Sequence, residues 1–449
     1  MPDEGQDDGR RPSVEPTREF FVEMLTRDIP LEQAILDLVD NSVDGAKKLA
    51  AAGGNFANHS VSLEISGDRF RIFDTCGGFG REAAINYAFR FGRPEGAPRT
   101  PGSIGQFGVG MKRALFKFGE HFVVRSATPD EEWAVALDVP DWLANGDWHF
   151  PWVDFGEGHE ISRAKPGTEI LVDRLRPDVS ARFATTNFAN FVTELIRSKH
   201  RQFVSQGLSI SVNGIHIDAT DLTLAIQDQL KPGRDALTLN DVGKEPVEVR
   251  ILVGVGASIP REAGWYVICN GRVVLAADRR PVTGWGLLEE ESDRLMVPNF
   301  HNQYARFRGL VWFDAEDSSR VPWNTTKTDV DVDSSVWLRA FVRMIEMMRP
   351  VIVFLNDLDQ DIDANTRENS PLFQYVAQAR VIKADRVVGK SDFVAPSRTD
   401  VYFKPKTVKI QYSRLIEDVE FLKDALDVNS GRAVGEMTFD MALDAQRAE

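Results

Sequence analysis

Residues 31–46, LEQAILDLVDNSVDGA, carry two patterns at once. At 100° per residue, Leu31, Ile35, Leu38 and Ser42 fall on one face of a helix, with Ala46 nearby, and Asp37, Asn41 and Asp44 form a narrow stripe opposite. The spacing predicts a helix from Leu31 to about Ala50. Ile29-Pro30 separates it from a shorter apolar-periodic helix over Arg18–Arg27. An acidic stripe on an amphipathic helix is ordinarily only a solvated face. An asparagine flanked by carboxylates also suits magnesium–nucleotide chemistry. Its carboxamide oxygen is a hard ligand for Mg²⁺, which takes few protein ligands and leaves the rest to phosphates and water. A carboxylate one turn earlier can orient and deprotonate a water aimed at a γ-phosphate.

Two glycine-rich segments follow. Asp74-Thr75-Cys76-Gly77-Gly78-Phe79-Gly80 ends a pair of alternating strands within Val61–Asp74. An acidic residue there can accept a hydrogen bond from an adenine amino group, while Gly78 lets backbone approach the base. Taken alone, the segment is only a turn. Farther on, Gly102-Ser103-Ile104-Gly105-Gln106-Phe107-Gly108-Val109-Gly110 opens a helix at Met111. Backbone N–H groups at such a helix start suit phosphates. A dinucleotide fold is a poor match, because the preceding segment is a charged loop rather than a strand.

In this order, the three segments resemble the N-box and two glycine boxes of GHKL (Bergerat-fold) ATPases: gyrase B, heat-shock-90 chaperones, MutL, MORC and histidine kinases. DLVDNSVDGA (37–46) is similar to the MutL and MORC N-box, and GQFGVG (105–110) to the chaperone form of the second glycine box. Lys165-Pro166-Gly167-Thr168-Glu169-Ile170 resembles a later strand whose threonine, here Thr168, supports the adenine-binding aspartate. The resemblance implies ATP and Mg²⁺ as ligands, with Asp37 as general base and Asn41 as metal ligand. The nucleotide contacts it implies are Asn41, Asp44, Asp74, Gly78, Thr168 and the run Gly105, Gln106, Phe107, Gly108, Val109, Gly110 and Met111. Arg81–Pro101 would be the ATP lid. Two departures stand out. The family's base is Glu, and Asp37 is shorter by one C–C bond, roughly 1.5 Å. Cys76 stands inside the first glycine box, and nothing in the sequence beside it suggests an activating histidine.

A change of composition after Ala219 predicts a second domain. Trp265–Leu275, WYVICNGRVVL, reads as a hairpin turning at Asn270-Gly271 and resembles the strand–NGR–strand segment of MutL- and MORC-like transducer domains. Val321–Asp329, VPWNTTKTD, follows the strand Gly309–Phe313. In the gyrase, MutL and MORC branches such a loop brings a lysine into the ATP site, and Lys327 is the candidate here. The expected architecture is α+β: a tail over 1–18, a Bergerat-fold ATPase domain with a mixed sheet and helices on one face over 19–220, and a transducer-like (ribosomal-protein-S5-like) α/β domain over 221–350. A mainly helical C-terminal region of unknown role follows over 351–449. A histidine kinase is disfavoured because no phosphoacceptor hairpin fits upstream of residue 31, and a topoisomerase because no cleavage-domain tyrosine context is evident.

Composition bounds the rest. The 449 residues suggest two or three domains. With 53 basic against 68 acidic residues, a net −15, bulk electrostatics do not favour nucleic acid, although Lys112-Arg113-Lys117 and Arg279-Arg280 are local basic groups. No apolar run is long enough to span a membrane, and no secretory signal is evident. Two cysteines, Cys76 and Cys269, fit a reducing cytoplasm. The leading expectation is a slow ATPase that homodimerises on ATP binding. It would act as a nucleotide-controlled clamp in DNA transactions or antiviral defence, with DNA or a DNA-processing protein as partner. The rivals are a heat-shock-90-like clamp on protein clients and a non-hydrolysing ATP-sensing subunit.

Overall fold

The computed structural model describes residues 17–50, 55–90, 100–105, 108–144, 148–287, 297–396 and 409–447. The chain divides into compact units at Met1–Arg398 and Thr399–Glu449.

The first unit begins with helices α1 (Arg18–Arg27) and α2 (Leu31–Leu49). Thr17 caps α1 by accepting the Phe20 N–H, and Pro30 stops it from running into α2. The buried side of α2, with Ala34, Ile35, Leu38, Val39 and Val43, lies in the main core. An eight-stranded sheet follows: β1 (Ser60–Ile65), β2 (Phe70–Asp74), β3 (Gly119–Ala127), β4 (Glu132–Asp138), β5 (Trp152–Val153), β6 (Gly167–Leu175), β7 (Ser209–Val212) and β8 (Ile215–His216). Its order is β5-β4-β3-β6-β2-β1-β7-β8, antiparallel except for the parallel β1–β7 pair. Alternation in β1 and β2 sends Val61, Leu63, Ile65, Phe70 and Ile72 to the core. Glu64, Arg71 and Glu169 pair across the opposite face. Helix α3 (Gly110–Phe118) packs on α2, and α4 (Thr186–Lys199) leads toward the second sheet.

That sheet holds β10 (Gly233–Leu239), β11 (Val247–Val255), β12 (Gly264–Cys269), β13 (Arg272–Asp278) and β14 (Phe307–Asp314) in the order β10-β11-β14-β12-β13, with β12 and β14 parallel. Strand β12 and residues 251–255 of β11 are unbroken buried apolar runs because both faces are covered. One face meets α5 (Ser335–Asn369). The other carries a small core of Leu224, Leu252, Tyr266, Ile268 and Leu310 beneath the ribbon of β9 (Thr223–Ile226) and β15 (Arg380–Lys383). Val351–Leu355, a short buried stretch by sequence, lies inside α5, where Val353 alone of the five is exposed. α5 runs through residue 350 without a break there.

The second unit contains α6 (Ile416–Leu426) and α7 (Gly431–Arg447), joined where Asp427 adopts a left-handed conformation. The α+β expectation is thus met: mixed sheet with helices, second sheet with helix, then helices. No helix among the described residues is long and apolar enough to cross a membrane.

Candidate functional site

Only part of the α2 stripe faces open solvent. Asn41 is exposed, but Asp37 and Asp44 are half-buried and Asp40, between them, is fully buried. The two halves of the stripe do different work. Asp44 accepts the backbone N–H groups of Ile104 and Gly105, both at 2.7 Å, and so pins the second glycine segment against α2. Burial raises its carboxyl pKa, opposed by Lys47 and those two N–H groups. Asp37 lies beside the start of α3, where a Cβ on Gly110 would come within 3.0 Å of its own Cβ. Gln33 donates to it at 3.1 Å. Burial raises the Asp37 pKa, with Lys327 pulling the other way, so this carboxylate is more basic than an ordinary aspartate.

Asp74 ends β2 with a buried carboxylate held by three donors: Ser42 Oγ at 2.7 Å, Cys76 N at 2.8 Å and Thr168 N at 3.3 Å. Burial raises its pKa while these hydrogen bonds lower it. Thr168 meets Asp74 through its backbone; its hydroxyl lies 3.5 Å from Ser126 Oγ. Gly78 has φ +61°, and a Cβ there would sit 2.2 Å from the Ala127 carbonyl, so no side chain fits. Ser42, on the apolar side of α2 by spacing, is there to hold Asp74. Cys76 is buried and its pKa is pushed far up by burial, against any role as nucleophile.

The second glycine segment is described at Gly105 and from Gly108 onward. The expected contacts Gln106 and Phe107 lie outside the described residues, as do 91–99 of the expected lid. At the start of α3, Val109 is the N-cap residue, Gly110 and Met111 begin the helix, and Gly108 has φ +63°. Lys112, one residue on, is buried and donates to the carbonyls of Ala88 and Arg90, within the expected lid, at 2.7 and 2.6 Å. Burial pushes its pKa down to about 7.

A metal here would rest on a sparse donor set. Among the described residues there is no group of three or more His, Cys, Asp or Glu placed to hold an ion. The Asn41 carboxamide has no hydrogen bond to a described residue, and its Oδ1 lies 3.7 Å from where a Cβ on Gly105 would stand. One uncommitted carboxamide beside the second glycine segment would fit Mg²⁺ held mainly through nucleotide phosphates.

The second sheet reaches this site at two places. Lys327, in the loop after β14, places its Nζ 2.9 Å from Asp40 Oδ2 and 3.6 Å from Asp37 Oδ1. Its backbone is left-handed, φ 55°, within a loop that Asn324 gathers by accepting the N–H of Thr328 and the hydroxyl of Thr326. A strained non-glycine backbone at a loop tip fits a side chain held for a purpose. The Asn270-Gly271 turn makes the other approach. Asn270 Nδ2 donates to the Ser103 carbonyl at 3.3 Å, and Lys47 Nζ bridges the carbonyls of Gly102 and Asn270 at 2.8 and 2.7 Å. Arg272, the last residue of that motif, is fully buried and bonds Asp40. His200, just past α4, also donates to Asp40, Nε2 to Oδ1 at 2.8 Å. Burial favours a higher Asp40 pKa, but Arg272, Lys327 and His200 outweigh it and hold the carboxyl well below the usual range.

The fold therefore gathers Asp37, Asn41, Asp44, Asp74, Gly78, Gly105, Gly110, Thr168 and Lys327 around one region. Sequence reasoning missed Asp40, Lys47, His200 and the side chains of Asn270 and Arg272. A buried aspartate needs a cation, and the arginine of the quoted NGR motif was the available hint.

Residues 29–168 match the family described as histidine kinase-, DNA gyrase B- and HSP90-like ATPase. They form a GHKL ATP-binding module. No curated protein matches the chain. Among solved structures, the chain is similar to the ATPase and transducer domains of DNA topoisomerase II from Balamuthia mandrillaris: 10% identity, 74% of this chain and 86% of that chain covered, TM-score 0.39.

Proposed function

We propose that the chain is a slow Mg²⁺-dependent ATPase that closes into a homodimer on ATP binding and works as a nucleotide-controlled clamp. Asp74 receives the adenine amino group beside Gly78 and Thr168, and Asn41 is the protein ligand of the ion. The N–H groups from Gly108 to Met111 and the positive end of α3 face the phosphates. Bound Mg²⁺ supplies charge neutralisation on those phosphates. Asp37, made more basic by burial, takes the proton of the attacking water; its short side chain limits the rate. Lys327 serves the γ-phosphate from the second sheet, so that the position of that sheet follows the nucleotide state.

The observation that carries this reading is Lys327, which crosses from the second sheet to lie within 3.6 Å of Asp37. Turnover and self-association of wild type, Asp37→Ala and Asn41→Ala with Mg²⁺ and ATP test it. Asp37→Ala should bind ATP and dimerise without turnover, and Asn41→Ala should bind poorly. A wild type that neither binds ATP nor dimerises with it would show this reading to be wrong.

As the object clamped we favour DNA or a DNA-processing partner, as in defence against foreign DNA; this rests on the NGR and Lys327 segments. The net charge of −15 favours a protein client instead. Binding to DNA at two salt concentrations separates the two, since a DNA clamp must show salt-sensitive binding in at least one nucleotide state.

A further inference from the structure

Three segments converge on the buried Asp40 carboxylate. It receives Arg272 from the first position of β13, Lys327 from the loop after β14, and His200 from just past α4. Arg272, His200 and Asp40 are fully buried, and Lys327 nearly so. Burial lowers the His200 pKa against the pull of Asp40, so the imidazole is neutral and donates from Nε2. With Asp37 included, two carboxylates face two cations. A buried carboxylate left with a single cation holds it far more firmly than one that shares two, because a bare buried anion is costly. Arg272 also has donors in hand. Its Nε and Nη2 bond no described residue, so the guanidinium can take a second grip on Asp40 when Lys327 leaves. The turn just before Arg272 is itself fixed to the glycine segment through Asn270 and Lys47.

We propose that Arg272 is a positioning residue for Lys327: by sharing Asp40 it loosens that carboxylate's hold on the lysine and neutralises it after the lysine departs, so that Lys327 can move to a γ-phosphate. This rests on the assignment of Lys327 to the γ-phosphate. Removing Arg272 leaves Asp40 gripping Lys327 alone, which disfavours only ligands that must draw the lysine away. A purely structural ion pair would act on all ligands alike.

The test uses full-length Arg272→Gln, Lys327→Ala and the double variant, each titrated with Mg²⁺-ADP and with a non-hydrolysable Mg²⁺-ATP analogue. Arg272→Gln should weaken the analogue about tenfold relative to ADP, the scale of one close desolvated charge contact. The same change should do nothing further in the Lys327→Ala background. Without nucleotide, amide exchange over residues 324–329 should slow in Arg272→Gln, because Lys327 is held harder; Arg272→Lys, which keeps a cation at Asp40, should return both readouts toward wild type. Equal weakening of ADP and analogue, or faster exchange in that loop, overturns the proposal. If wild type binds neither nucleotide, the ATPase reading fails, and the exchange measurement still decides the role of Arg272.

Discussion

Among the described residues two hairpins turn at an Asn-Gly pair, and the two do different things. Asn213-Gly214 joins β7 to β8, and Asn270-Gly271 joins β12 to β13; in both, the two central residues have positive φ, as a tight two-residue hairpin requires. Each asparagine side chain makes two hydrogen bonds to backbone. Exposed Asn213 spends both on Ile65 of the same sheet. Buried Asn270 bonds Ala315, just past β14 of the second sheet, and Ser103 of the second glycine segment. After the first turn come Ile215 and His216, both exposed; after the second comes Arg272, fully buried against Asp40. Identical turn chemistry fixes the local bend in both cases. What the neighbouring residue meets decides whether the turn is only a connection or a joint between two sheets.

The contrast can be broken most forcefully at Asp40. Asp40→Ala leaves Arg272 and Lys327 without their shared carboxylate, and unfolding free energy should fall by about 3–5 kcal/mol. A denaturant titration showing less than about 1 kcal/mol would mean that the joint carries little of the fold. The asparagines themselves give a smaller, sharper comparison. Asn213→Ala and Asn270→Ala should each cost about 1–3 kcal/mol, since each removes a partner from backbone groups. Only Asn270→Ala should also weaken ATP binding, because it releases Ser103; equal ATP affinity in the two variants would erase the distinction drawn between the turns.

The smallest effect is a pH dependence of the joint. The folded-state pKa of His200 lies below its ordinary 6.5, so below that pH the unfolded chain takes up a proton that the fold resists. Stability contributed by the neutral histidine is therefore present above about pH 6.5 and declines as pH falls below it. His200→Gln should flatten this slope in melting curves recorded between pH 7 and 5.

Much of this was legible in the chain. Helix α2, the strands around Asp74 and the Asn270-Gly271 turn follow from periodicity and turn chemistry, and they fall where the spacing predicts. Lys327 was singled out by the resemblance of its loop, and the fold brings it to Asp37. Asp40 was not legible. By periodicity it lies between the acidic stripe and the apolar face of α2, and nothing local reveals that its cations come from positions 272 and 327. Ser42 was hidden differently: it occupies an apolar-face position, and its bond to Asp74 exists only once β2 packs on α2. Long-range pairings such as these depend on how the two sheets meet, and no local periodicity encodes that.

On the proposed reading, Lys327 completes the nucleotide site from the second sheet. Equilibrium binding of Mg²⁺-ATP and Mg²⁺-ADP to wild type and to Lys327→Ala tests it most directly. Wild type should prefer ATP by about tenfold or more, the scale of a close charge contact, and the variant should lose that preference while keeping its affinity for ADP. The same ATP-to-ADP ratio in both proteins would contradict the account.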